Sequence, residues 1–327
     1  MMLDEYQISV VILTYNSDFE KLKLTIESIL NQKDCYFEII ISDDGSKVKY
    51  SDQIIALFES HNFKDYIFSE LPENAGTCQN YYNGVALATG RYIKGISPGD
   101  YLHDCHTLSD WYNFMMRNHC RVSFGNSVYY NITNDEAYLL RLRLQPQLDE
   151  LYLPNTYNRK KAVLDYIFLL DVPIGASFLV ERDLLQEYLT VILGKVKYTE
   201  DNIFRIMICD GIPLFHFDRR TIYYEYGTGI STSSNNRWKK IIHDEIALTN
   251  SIIVERIMEK NYFDKRLKLL LRTPYRSKKY TILKYILFPT LSILKIRKNH
   301  ANRFTELRID ENDFFSFKKI IVNLQEG

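Results

Sequence analysis

The sequence lacks the signals that mark disulfide-rich, zinc-dependent or membrane-spanning chains. Five cysteines (Cys35, Cys78, Cys105, Cys120 and Cys209) lie far apart in 327 residues, with no C-x-x-C pair and no histidine at metal-ligand spacing. The expectation is reduced core thiols in a cytoplasmic protein. No net charge remains when 41 Lys and Arg are set against 41 Asp and Glu, so nothing global argues for nucleic acid. The first residues, with acidic Asp4 and Glu5, show no basic segment, long apolar core or small-residue cleavage site, so no signal peptide is expected. The longest apolar stretch, 280–296, is interrupted by Lys284, Pro289 and Lys295 and falls short of a spanning helix. Repeats and low-complexity tracts are also missing.

What is present is an alternation of two periods. Hydrophobic residues make up 46% of the chain, enough for one large α/β domain with an appendage. Apolar runs at 8–13, 37–42, 66–69 and 91–96 read as strands, the first buried on both faces. Between them, 18–30, 51–60 and 77–89 read as helices, the last closed by Gly90 at C′. Strands and helices in this rhythm predict βαβ units and a parallel sheet. Further on, 106–118 reads as a helix and 122–131 as a strand or hairpin, and 135–158 as an irregular or partly helical insertion. A strand at 177–180, helices at 183–191 and 200–209, and an extended 213–226 follow, and the pattern is helical from Arg237 to the end. A boundary near Asn235 divides 1–235, itself in halves 1–104 and 105–235, from a helical extension, 236–327.

Polar clusters stand where the strands should end, which is where parallel α/β sheets present ligand-binding groups. Thr14-Tyr15-Asn16 offers amides and short polar side chains for a base, ribose or pyrophosphate, or makes a plain polar turn. In Asp43-Asp44-Gly45-Ser46 a carboxylate can accept from a ribose hydroxyl or a pyrimidine N–H, although Asp-Gly turns are common. Gly76, in Asn74-Ala75-Gly76, permits close approach of backbone and ligand, with Asn80 just beyond. Ser97-Pro98-Gly99-Asp100 is either a type II turn or a carboxylate offered to a cation. Glu200-Asp201, after Thr199, suits the first turn of a helix and equally a waiting general base.

In order and spacing these fragments resemble family 2 glycosyltransferases, inverting enzymes of GT-A fold, over residues 7–235. The resemblance implies a Rossmann-like, mostly parallel sheet flanked by helices, with 1–104 as the nucleotide half and 105–235 as the acceptor half. It assigns the nucleoside to V-I-x-T-Y-N and D-D-G-S, hence to Thr14, Tyr15, Asn16, Asp43 and Asp44. Asn74, Gly76 and Asn80 match the N-x-G stretch on the donor side, with Tyr82 where a second Asn is usual. Of the family's D-x-D only Asp100 survives, beside Ser97, so Asp100 is expected to hold Mg²⁺ or Mn²⁺ on the donor diphosphate. Asp201 takes the base role of the E-D pair with Glu200 in support, and Arg205 and Gly211 match the positions that follow. The segment 223–232 resembles Y-x-x-G-x-S, a loop that closes over donor phosphates or lines the acceptor side, through Gly229 and Ser231; Gly175 is expected on the acceptor floor.

The implied reaction moves a sugar from a nucleotide-sugar, UDP-sugar favoured, to a hydroxyl of a glycan, lipid-linked or glycoprotein acceptor, as in bacterial glycan assembly. A non-catalytic GT-A-like binding protein is favoured by Ser97-Pro98-Gly99 and opposed by Glu200-Asp201. A nucleotidyltransferase would need a Gly- and Lys/Arg-rich loop after the first strand, which is absent. From Arg256 to Arg308, about fifteen Lys and Arg stand against about three Asp and Glu. Segment 265–308 therefore suits the anionic inner face of a plasma membrane, or a homo-oligomer contact with a solvated basic face. The seven histidines form no ligand constellation.

Overall fold

A computed structural model of the chain describes residues 6–133, 136–140, 146–227, 229, 235–259, 261–275, 277–304 and 317. The first hundred residues run β1 (Ile8–Thr14), α1 (Phe19–Leu30), β2 (Phe37–Asp43), α2 (Ser51–Ser60), β3 (Tyr66–Glu70), α3 (Thr77–Leu87) and β4 (Tyr92–Ile96). Asp18 caps α1 by accepting from the Lys21 amide at 3.1 Å. Then come β5 (Tyr101–Leu102), α4 (Thr107–Arg117), β6 (Val122–Thr133), β7 (Glu136–Leu140), α5 (Arg159–Val163), β8 (Phe178–Glu181), α6 (Arg182–Ile192), α7 (Asn202–Asp210) and β9 (Phe215–Glu225). The chain continues as α8 (Asn236–Arg256), α9 (Tyr262–Leu271), α10 (Lys278–Leu287) and α11 (Thr290–Phe304).

One sheet runs in the order β3-β2-β1-β4-β8-β6-β9-β5, with β7 on β6. Strands β3, β2, β1 and β4 are parallel, and β8 and β6 then join antiparallel. Successive side chains of β1 point to opposite faces. Ile8, Val10 and Ile12 meet Leu22, Ile26 and Trp111 on one side, while Val11 joins Val85, Leu185 and Ile203 on the other. This second cluster also holds Ile253, Leu267, Leu291 and Leu294, so helices α8–α11 share the core of the α/β sheet.

Several expectations need correction. Helix α7 begins at Asn202, so Glu200 and Asp201 lie in the turn before it, and Thr199 donates to a distant carboxylate instead of capping by the usual pattern. Gly90 is no helix cap: α3 ends at Leu87, and Gly90 is required because a Cβ there would stand 2.6 Å from the Ser9 amide. The insertion at 135–158 contains β7, and β5, α5 and a π-helical turn, Leu164–Leu169, were not anticipated. The described helices end at Phe304, and of the later residues only Phe317 is described, packed on Tyr130 and Tyr223.

The π turn carries a buried polar latch for α11. Asp171 accepts from the Gln147 and Leu148 amides at 2.8 and 3.2 Å and pairs with Lys298 of α11 at 3.2 Å. Asp165, fully buried, accepts from the Tyr152 hydroxyl at 3.0 Å. Burial, and then the charge of Asp171, push Asp165 up to about 8. The folded state therefore keeps a proton that the unfolded chain releases near the ordinary carboxyl value. Stability falls as pH rises from there to about 8, by at most ~1.4 kcal/mol per pH unit. Asp165→Asn is expected to remove this slope, so that denaturant unfolding from pH 5 to 8 favours the variant progressively over the parent.

Candidate active site

The parallel register sets Thr14 opposite Asp43 and Ile12 opposite Ile96, which brings three of the five polar clusters to one edge of the sheet. Asn16 adopts φ +46°, and its amide donates to Ser46 Oγ at 2.7 Å while its Oδ1 accepts from the Lys47 amide at 2.9 Å. Asp43 accepts from the Ser46 amide at 2.8 Å and from Lys49 Nζ at 2.6 Å. A pocket opens here, lined by Thr14, Ser17, Asp43, Ser46, Lys49 and Glu70 among others, and Tyr15 stands exposed nearby. Thr14 is buried and its hydroxyl donates to Ser17 Oγ at 2.8 Å.

Asp44 points away from that pocket, into the following loop. It accepts from the Ala75 and Gly76 amides at 2.7 and 3.0 Å and from Asn74 Nδ2 at 2.8 Å. Burial raises its pKa, and the two amides oppose the rise. Gly76, at φ +96°, lies so close to Lys197 that a Cβ would meet its carbonyl oxygen at 2.7 Å. Asn80 ties α3 to β2: its Oδ1 accepts from Ser42 Oγ at 2.8 Å and its Nδ2 donates to the Ser42 carbonyl at 2.9 Å.

After β4, Asp100 N donates to the Ser97 carbonyl at 2.9 Å and Gly99 takes φ +98°, the geometry of a turn that needs glycine at its third position. Thr25 Oγ1 accepts from the Gly99 amide at 3.2 Å, and the Tyr130 hydroxyl donates to the Gly99 carbonyl. The Asp100 carboxylate is nine-tenths buried, and its one side-chain hydrogen bond among the described residues is a long one, 3.4 Å from the Glu225 amide. Burial pushes it up to about 7, opposed by Lys94. Lys94 is a residue that sequence reasoning passed over. Fully buried in β4, it donates to the Gly95 carbonyl at 2.7 Å and to the Ala176 carbonyl, and burial pulls it down to about 7. A lysine within an otherwise apolar strand run was the signal available.

The Ala176 contact leads to the base candidates. Gly175, in a short 3₁₀ turn, faces the half-buried pair, for a Cβ there would lie 3.4 Å from both Asp201 Cβ and Glu200 Oε1. Burial, then the neighbouring Asp201 charge, push Glu200 up to about 8. Burial also raises Asp201, and Arg205 opposes it. Buried Arg205 donates to Asn250 Oδ1 of α8 at 2.9 Å. A carboxylate of α8, Glu245, was not legible in the sequence. It accepts from the amides of Lys197, Tyr198 and Thr199 at 3.0, 3.2 and 2.9 Å and from Thr199 Oγ1 at 2.6 Å. The helical extension thus grips the turn that presents Glu200 and Asp201.

Gly211 closes α7 at φ +99°. Gly229 is half-buried, and Ser231 lies outside the described residues. No group of three or more His, Cys, Asp or Glu gathers as a metal site among the described residues. Nor is any described helix long and apolar enough to cross a membrane.

Comparison with known proteins agrees with this geometry. Among solved structures, TarS residues 1–349 of S. aureus in complex with UDP superposes with TM-score 0.52 at 14% identity, covering 98% of this chain and 92% of that one. PcManGT, a mannosyltransferase of Pyrobaculum calidifontis in complex with GDP-Man and Mn²⁺, gives 0.55 at 12% identity, covering 98% and 81%. At these identities the likeness is one of fold, the curled GT-A sheet flanked by helices. In sequence, the Uncharacterized glycosyltransferase MJ1057 of Methanocaldococcus jannaschii is 34% identical over 98 residues, 30% of this chain and 33% of that protein. The chain therefore matches about a third of the length of that curated relative. The model of Glycosyl transferase family 2 matches residues 9–189, more than half of the chain, and the chain belongs to that family.

Proposed function

We propose that this chain transfers a sugar from a nucleotide-sugar, UDP-sugar favoured, to a hydroxyl of a glycan, lipid-linked or glycoprotein acceptor, with inversion and with Asp201 as general base. One observation carries the reading. The donor-side loop, held by Asp44 and ending at Gly76, packs against Lys197 in the run that leads into Glu200-Asp201, although the two segments are far apart in sequence. A binding module has no need for a carboxylate pair at that junction.

Asp201 suits the base role because it stands next to Arg205, which favours its charged form, while Glu200 retains a proton up to about 8. Gly175 leaves the space beside them that an acceptor hydroxyl must enter. On the donor side, the paired strand ends at Thr14 and Asp43, with Tyr15 and Asn16 directly after Thr14, would take the nucleoside. Ser97 and Asp100 face the diphosphate.

A divalent cation fits Asp100, a hard oxygen donor nine-tenths buried with a single long hydrogen bond. Mg²⁺ or Mn²⁺ there would neutralise charge on the departing diphosphate. Gly229 and Ser231 keep the two roles that the resemblance implies, over the donor phosphates or on the acceptor side.

The faces of helices α10 and α11 support a membrane contact. Exposed Ile282, Ile286, Ile293 and Ile296 stand among exposed Lys278, Lys279 and Lys295, opposite the faces that bury Tyr280, Leu291 and Leu294. Apolar side chains among lysines suit an anionic bilayer, where a lipid-linked acceptor would reside. The full chain is expected to co-sediment with phosphatidylglycerol-containing vesicles and not with phosphatidylcholine alone. Ile286→Glu with Ile293→Glu should abolish this; unchanged binding would remove the membrane from the proposal.

The central test offers UDP-, dTDP- and GDP-sugars with Mn²⁺ or Mg²⁺ and follows nucleoside diphosphate release. Asp201→Asn is expected to lower kcat at least about 100-fold while nucleotide affinity is kept. Calorimetry that detects no nucleotide binding would end the transferase reading. Glu245→Gln should cost about 1–3 kcal/mol of stability, since several donors lose acceptor strength. It also removes a negative charge that raises both Glu200 and Asp201. The acid limb of the kcat/KM profile should therefore move to lower pH, a shift that a purely structural role would not produce.

A further inference from the structure

The D-x-D position retains one acid in sequence, but the fold brings a second carboxylate to it. Strand β9 pairs antiparallel with β5, which follows Asp100 directly, and Tyr101 stands opposite Tyr223. That register seats Glu225 beside the Ser97–Asp100 turn, with its amide 3.4 Å from Asp100 Oδ1. The Glu225 carboxylate lies against the turn backbone, where a Cβ on Gly99 would come within 2.6 Å of Oε2. The left-handed Gly99, at φ +98°, leaves room for a carboxylate at this place.

Glu225 is itself buried, 6% exposed, and a single cation neutralises it. Lys21 Nζ, from α1, donates to Oε1 and Oε2 at 2.6 and 2.7 Å. Lys21 is 30% exposed, so its ammonium has a route to solvent. Asp100, by contrast, is nine-tenths buried and accepts only the one long hydrogen bond among the described residues. Lys94 favours its charged form from beyond ion-pair distance, so among the described residues no cation contacts this carboxylate directly.

We propose that Glu225 and Asp100 together form the divalent-cation site of this chain, and that Lys21 holds Glu225 until the cation replaces its ammonium. This rests on the reading of Asp100 as the metal position in the donor site. The chemistry is that of Mg²⁺ or Mn²⁺, which take hard oxygen ligands and commonly use one or two protein carboxylates beside phosphate oxygens and water. Replacement of a single positive charge by a double one leaves both acids neutralised when the diphosphate arrives. In this chain β9 supplies the acid that the turn after β4 has lost.

The test is Mn²⁺ binding, read from the electron paramagnetic resonance signal of the free ion. The full-length protein is titrated alone and with saturating UDP or GDP, with the nucleotide-only blank subtracted. Asp100→Asn and Glu225→Gln should each weaken Mn²⁺ at least tenfold. Lys21→Met should tighten it several-fold, because no ammonium has to leave, and unfolding temperatures establish that each variant is folded. Wild-type affinity in Glu225→Gln, with loss in Asp100→Asn, overturns the second carboxylate and leaves the single-acid reading standing. Absence of Mn²⁺ binding to the parent under every condition overturns both. Unchanged or weaker binding in Lys21→Met overturns the replacement of the ammonium.

Discussion

The register of β1 between β2 and β4 decides where the chemistry of this chain can lie. All three strands are buried along nearly their whole length, so polar groups are tolerated only where the strands end or where partners are supplied. The pairing of Thr14 with Asp43 and of Ile12 with Ile96 brings those ends level. A slip of one residue would turn Val10 and Ile12 away from Trp111 and Leu22 and drive Val11 into their place, and so every buried contact of the core opposes it.

Glycines and counter-charges then determine how close the clusters come. Gly76 against Lys197 and Gly99 against Glu225 are contacts that a side chain at the glycine would crowd. The acids brought together in this way are mostly provided for. Asp43 has Lys49, Asp44 has two amides and Asn74, Glu225 has Lys21, and Glu245 has three amides and a hydroxyl. Asp100 is the exception. It is buried as deeply as the others and, among the described residues, holds a single long hydrogen bond, with Lys94 acting on it from beyond ion-pair distance.

How much of this was legible follows from the range of each interaction. Strands β1 to β4 and helices α1 and α2 were read nearly residue for residue, because periodicity and a cap such as Asp18 act within a few positions. The motifs at the strand ends were legible for the same reason. Gly90 was assigned a helix cap, whereas its absent side chain serves the approach of Ser9, a neighbour only in the folded sheet. Glu245, Lys21 and Glu225 carried no local mark at all, since the groups they hold arrive from other parts of the chain. Lys94 alone left a trace, a charged residue in a run that had to be buried.

The family match covers one half of the candidate site and stops before the other. Residues 9–189, matched by the family, contain Thr14, Asp43, Asp44, Gly76, Asp100 and Gly175. Glu200, Asp201, Glu225 and Glu245 all lie beyond them. The donor side is therefore built from strand ends that the fold itself fixes, whereas the turn that carries the proposed base is held from α8 by Glu245 and, through Arg205, by Asn250. Since α8 shares its apolar cluster with α9 and α11, any change in how those helices pack is transmitted to Lys197–Thr199 and from there to Asp201. A scaffold of this kind can keep its strand-end clusters while changes among the carboxyl-terminal helices reach the turn that carries Glu200 and Asp201.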